Sequence, residues 1–187
     1  MTSRSVNVAK AAYLDTCVIS GYVKNELEAH ERVAFEKIMD AYLNSKIDLL
    51  RSDVVEQEIA AIPEHYRTPH QILLTRLLSI PVPSVGGLTR PGPAGFSTAN
   101  PARLLWRRLS DVVPDENDRW HLFVAARNRV RFFITVDART ILSRRSKVSE
   151  ASGVEPVTPA EFVTHTTSPM QAAQPGAAGD APKAARP

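Results

Sequence analysis

Two short apolar runs in this chain each end on an aspartate. The run containing Tyr13 and Leu14 stops at Asp15, and Val130 to Val136 (VRFFITV) stops at Asp137. Short apolar runs bounded by polar residues read as buried strands. Helical spacing follows each of them. After Asp15 come two helical pieces within Thr16 to Leu43, the second carrying Ala34, Phe35, Ile38, Met39, Tyr42 and Leu43 on one stripe, with Val33 off it. Ile47 to Leu50 reads as another strand. A helix then runs to Ile62, capped by Ser52 or Asp53 and stopped by Pro63. Further helices are expected at His70 to Leu78, Ala102 to Leu109, Glu116 to Asn128 and Arg139 to Ser146. Val154 to Val157 reads as a last strand, and Pro159 opens a terminal helix through Val163. Strands alternating with helices predict an α/β fold, three layers α/β/α around a central parallel sheet.

Composition agrees with one such domain. The chain has 187 residues, of which 43% are hydrophobic and 23% charged, which excludes a wholly disordered or fibrous protein. The domain is expected over residues 11–165, after an N-terminal extension at 1–10. Within it, 81–101 forms a long Pro- and Gly-rich loop, and 166–187, rich in Ala, Pro and Gly, reads as a disordered tail. The single cysteine excludes an internal disulfide and thiolate zinc clusters. The polar, basic N-terminus gives neither a secretion signal nor a membrane span, so the expectation is a soluble, cytoplasmic protein with no membrane partner. Net charge is only +3, yet residues 21–66 are acidic and 101–150 rich in Arg. The basic half suits an anionic partner such as nucleic acid, or is a solvated surface.

Sites in parallel sheets form at the carboxyl ends of strands, where Asp15 and Asp137 stand. Asp118, in the first turn of a helix, and Glu58, within one, complete a set of four carboxylates near apolar neighbours. Gathered carboxylates repel one another and tolerate proximity only with protons or cations between them. Oxygen ligands without thiolates point to a hard dication, Mg²⁺ or Mn²⁺. Each residue also has a plain structural reading. Asp15 and Asp137 are placed to cap helices. Asp115 and Asp118 fit a cap arrangement, and Glu58 could be a solvated helix residue beside Glu56. No G-x-G-x-x-G or G-x-x-x-x-G-K-[ST] is present, so a dinucleotide or P-loop site is not expected.

In chain order these segments resemble the four motifs of PIN-domain nucleases. Tyr13-Leu14-Asp15-Thr16-Cys17-Val18-Ile19 is similar to the opening strand, Asp and Ser/Thr. Ser52-Asp53-Val54-Val55-Glu56-Gln57-Glu58-Ile59 is similar to the second motif, with Glu58 rather than Glu56 in register. Asp118-Arg119-Trp120-His121 with Ala125-Ala126 resembles the Asp-x-x-His helix, and Phe133-Ile134-Thr135-Val136-Asp137 the closing Thr-x-Asp strand. Cys17 stands where the family often has Asn, and a thiol is the poorer hydrogen-bond partner. The resemblance spans roughly residues 11–163. It implies metal-dependent cleavage of RNA phosphodiester bonds, in many small members as toxins of the VapC type paired with an antitoxin.

On that resemblance Asp15, Asp118 and Asp137 would hold one or two cations, with Glu58 orienting water or completing the ligand set. Thr16, Thr135 and Asp115 would support the ligands from behind, or serve as a helix cap, a strand residue and a cap respectively. Arg139, then Arg144 and Arg145, are the first candidates for phosphate contact. His121 is expected to be structural, with Asp118 or substrate within its reach. Trp106 and Trp120 are expected to pack rather than stack on bases. The expected partners are RNA, an antitoxin segment and a second copy in a homodimer. The alternative is a PIN-like RNA- or protein-binding module that has lost catalysis.

Overall fold

The computed structural model describes residues 11–76 and 101–167. Four short parallel strands form one sheet in the order β2-β1-β3-β4: β1 (Ala11–Leu14), β2 (Asp48–Leu50), β3 (Phe132–Ile134) and β4 (Glu155–Val157). Ala12 lies opposite Leu49 on one side and Phe132 on the other. All of β1 and β3 is buried, as expected for strands covered on both faces.

The helices are α1 (Thr16–Val23), α2 (Ala29–Leu43), α3 (Asp53–Ala61), α4 (Glu64–Arg76), α5 (Pro101–Val112), α6 (Glu116–Arg127), α7 (Arg145–Ser152) and α8 (Pro159–Thr167). α2 packs on α8, while α5, α6 and α7 pack together. Right-handed crossovers put these two groups on opposite faces, because β1 to β2 and β3 to β4 move in opposite directions across the sheet. The result is the three-layer α/β/α arrangement expected from the sequence. The reversal falls between β1 and β3, so the crevice of the sheet opens where Asp15 and Thr135 leave their strands.

Burial explains the helices. α2 buries Ala34, Phe35, Ile38 and Tyr42, while Val33, off the stripe, is 49% exposed. α6 buries six consecutive residues, Trp120 to Ala125, as a helix enclosed by its neighbours must. Trp106 and Trp120 pack on each other and on Phe123, as expected.

Several boundaries differ from the sequence reading. The helix expected from His70 begins at Glu64 and contains Pro69. Next to it, buried His70 is held at both ring nitrogens, by the Tyr66 carbonyl at 2.7 Å and Ser20 Oγ at 3.1 Å. The helix expected at Arg139 to Ser146 is a turn and a short 3₁₀ segment, Leu142–Arg144, and α7 starts only at Arg145. The Asp137 carboxylate causes this by accepting from the Arg139 and Thr140 amides, which closes a turn of its own. α8 continues past Val163 to Thr167, so residues 166 and 167 belong to the helix rather than to the tail. Pro101, the last residue of the expected loop, is the first of α5. The extension at 1–10, the loop at 81–100 and the tail from 168 onward lie outside the described residues.

Candidate active site

Asp15 is only 5% exposed. It stands at the N-cap position of α1 with extended backbone, yet its side chain makes no cap hydrogen bond. Instead Oδ2 accepts from Thr135 Oγ1 at 2.7 Å and from Cys17 Sγ at 2.9 Å. The cap reading of Asp15 therefore fails, and its carboxylate turns across the crevice toward the end of β3. Thr135, fully buried, links two acids: its hydroxyl donates to Asp15 and accepts from the Asp137 amide at 3.0 Å. The Cys17 thiol also lies 3.2 Å from Thr135 Oγ1 and accepts from the Val136 amide. Burial, then the Asp15 charge, pushes its pKa well up, so it remains a protonated donor.

Asp137 does cap its turn through Oδ1, and Thr140 Oγ1 contacts Oδ2. The same hydroxyl stands 2.8 Å from Asp118 Oδ2. One hydroxyl proton cannot serve two carboxylates at once, so the trio is complete only when Asp118 brings a proton. Its electrostatics agree. Burial above all, then the charges of Asp15, Asp115 and Asp137, raise the Asp118 pKa from 3.8 to about 6, against the lowering effect of Thr140. Asp137 moves down despite its partial burial, through hydrogen bonds from Thr140 and Arg139 and the Arg139 charge. Asp115 is the N-cap of α6 and accepts from the Asn117 and Asp118 amides at 2.8 and 3.0 Å. It thereby fixes the first turn from which Asp118 projects.

Glu58 is drawn in from α3 by a histidine. His121 Nε2 lies 3.0 Å from Glu58 Oε2, and Nδ1 lies 2.8 Å from the Tyr13 hydroxyl. Tyr13 in turn makes a short contact with Ser52 Oγ, which caps α3 by accepting from the Val54 amide. The partner of His121 is thus Glu58, not Asp118. Glu56 points elsewhere, into an ion pair with Arg51. His121 senses Asp15, Glu58 and Asp118 together, and the charge of Asp118 responds to Asp15 and Asp137. Thr135 and Thr140 link Asp15, Asp137 and Asp118 through hydrogen bonds, while Glu58 is held by His121.

The arginines divide. Arg139 lies close enough to Asp137 for its charge to matter. Arg144 donates to the Val112 carbonyl at 2.9 Å, and Arg145 pairs with Glu161 at 2.8 Å. Arg145 lines a cleft of about 530 Å³ between α7, β4 and α8, with Ser149, Gly153, Glu155, Glu161 and His165; none of the four acids lines it. Thr16 Oγ1 is buried with no hydrogen-bond partner among the described residues, so there it neither caps α1 nor supports a carboxylate.

The donor types are those a hard dication takes: carboxylate oxygens with hydroxyls beside them. Among the described residues, however, no three His, Cys, Asp or Glu side chains stand together as a formed ligand group. Hydrogen bonds from Thr135, Cys17 and Thr140 occupy the acids instead. Sequence reasoning did not single out Thr140 or the role of Tyr13. A hydroxyl three residues after a strand-end aspartate was the available signal for the first. The second had none, because its partners are 39 and 108 residues away. Comparison with protein-family models, with curated proteins and with solved structures gives no match to this chain.

Proposed function

We propose that this chain is a Mg²⁺- or Mn²⁺-dependent endoribonuclease of the PIN-domain type, acting in the cytoplasm. The observation that carries the reading is a hydrogen-bonded chain through two threonines: Thr135 joins Asp15 to the Asp137 amide, and Thr140 joins Asp137 to Asp118. Asp15, Asp118 and Asp137 would hold the cation, with Glu58 at its margin. A bound dication supplies charge neutralisation at the scissile phosphate and an acidified water. The chain's own residues do the rest. Thr135 and Cys17 hold Asp15 in place, Asp115 and Thr140 hold Asp118 and Asp137, and Arg139 offers a guanidinium to phosphate beside Asp137. RNA as substrate and a toxin role with an antitoxin partner are what the resemblance to PIN-domain nucleases implies. A homodimer is in keeping with that role.

The test is digestion of RNA by purified protein with Mg²⁺ or Mn²⁺, with chelator, and with Asp15→Asn. Cleavage lost in the last two supports the reading; equal cleavage in all three identifies a contaminant. One observation favours a second reading, a PIN-like binding module without catalysis: Thr140 and Cys17 already satisfy the acids without an ion. RNA retention without turnover across varied RNAs, whatever metal is supplied, would select it.

A further inference from the structure

We propose that His121 is the positioning residue for Glu58, with Tyr13 holding the imidazole in place. The proposal deepens the nuclease reading and rests on Glu58 belonging to that site. His121 is 1% exposed and bonded at both ring nitrogens, to Glu58 and to Tyr13. The Tyr13 ring is itself clamped, stacked on Phe133 with centroids 5.4 Å apart and edge-on to His121 at 5.7 Å. Counting protons fixes the direction of the chain. If the ring is neutral, Ser52 donates to Tyr13, Tyr13 donates to Nδ1, and Nε2–H donates to Glu58. If the ring is charged, Nδ1–H donates to Tyr13, Tyr13 donates to Ser52, and Nε2–H still faces Glu58. The remaining tautomer would point a bare nitrogen at a carboxylate. Every stable arrangement therefore aims an N–H at Glu58 Oε2. The ring's reach from α6 sets where a carboxylate on α3 stands.

Glutamine places an amide N–H near the imidazole Nε2 position, whereas asparagine is too short to reach Glu58. His121→Gln is expected to keep kcat within about threefold of the parent. His121→Asn is expected to lower kcat about 100-fold with little change in KM, as Glu58→Gln does, and the double variant is expected to be no worse than either alone. Equal losses for Gln and Asn, or additive losses in the double variant, overturn the proposal. Far-ultraviolet circular dichroism checks that each variant folds, and Tyr13→Phe, which keeps the stacked ring, gives a milder second perturbation. Absence of metal-dependent cleavage by the parent protein sinks the nuclease reading alone. The positioning claim is then decided by NMR: ¹⁵N spectra of His121 must show Nε2 protonated from pH 5 to 9. The ¹³C shift of the Glu58 carboxylate must move in His121→Asn but not in His121→Gln. An unprotonated Nε2, or a Glu58 signal indifferent to residue 121, overturns it.

Discussion

Asp118 is the residue whose state reports the whole cluster. In the folded protein it keeps its proton up to about pH 6, whereas an unperturbed carboxyl releases it near 3.8. Between those values Asp118 binds more of a proton in the native chain than in the unfolded one, so its contribution to stability falls as pH rises from about 4 to 6. Denaturant titrations across that window are expected to show the decline, and Asp118→Asn is expected to flatten it. Thr135 invites a second prediction. Thr135→Val keeps the shape but leaves the Asp137 amide and a lobe of the buried Asp15 carboxylate unpaired, costing about 1–3 kcal/mol in chemical unfolding. The acids themselves were legible in the sequence because a strand-end aspartate and the Ser-to-Glu spacing survive in one dimension. Thr140 and Tyr13 were not, because a hydrogen bond formed across a turn or across the sheet leaves no periodic trace.

Among the elements, capping decides more than propensity. Asp115 satisfies two amides at the start of α6 and so sets the direction of Asp118. Asp115→Ala is expected to cost about 1 kcal/mol in thermal or chemical unfolding. It is also expected to weaken any activity beyond what that loss explains, since the first turn of α6 frays. At the other end of the sheet, Gly153 closes α7 with φ of 73°, and no atom of the described residues lies within 4 Å of a Cβ placed there. Gly153→Ala is therefore a pure backbone substitution, expected to cost about 1–2 kcal/mol without touching the acids. The same local chemistry explains the misplaced boundaries. Apolar spacing found α2, α3 and α6 well. It put a helix at Arg139 because it could not see that Asp137 would claim the next amides for its own turn.

At the scale of the molecule, a parallel sheet followed from buried apolar strands alternating with helices, but its order did not. That β1 lies between β2 and β3 depends on crossover geometry, and it is this order that puts Asp15 and Thr135 face to face. A dication that binds only the folded cluster is expected to raise the melting temperature in proportion to the logarithm of its concentration above saturation. Scanning calorimetry with Mg²⁺ or Mn²⁺ should show the shift, with chelator reversing it and Asp15→Asn abolishing it. The effect should be larger at pH 7.5 than at pH 5, since cation and proton compete at Asp118. No helix among the described residues is long and apolar enough to cross a membrane.

The contact between Asp15 and Thr135 joins positions 120 residues apart. A ribosome delivers one partner early in translation and the other late, with Glu58 and Asp118 emerging between them. A nascent chain has therefore no pocket at all for most of its synthesis. Asp15 and Thr135 can therefore meet only once β3 has emerged and paired with β1.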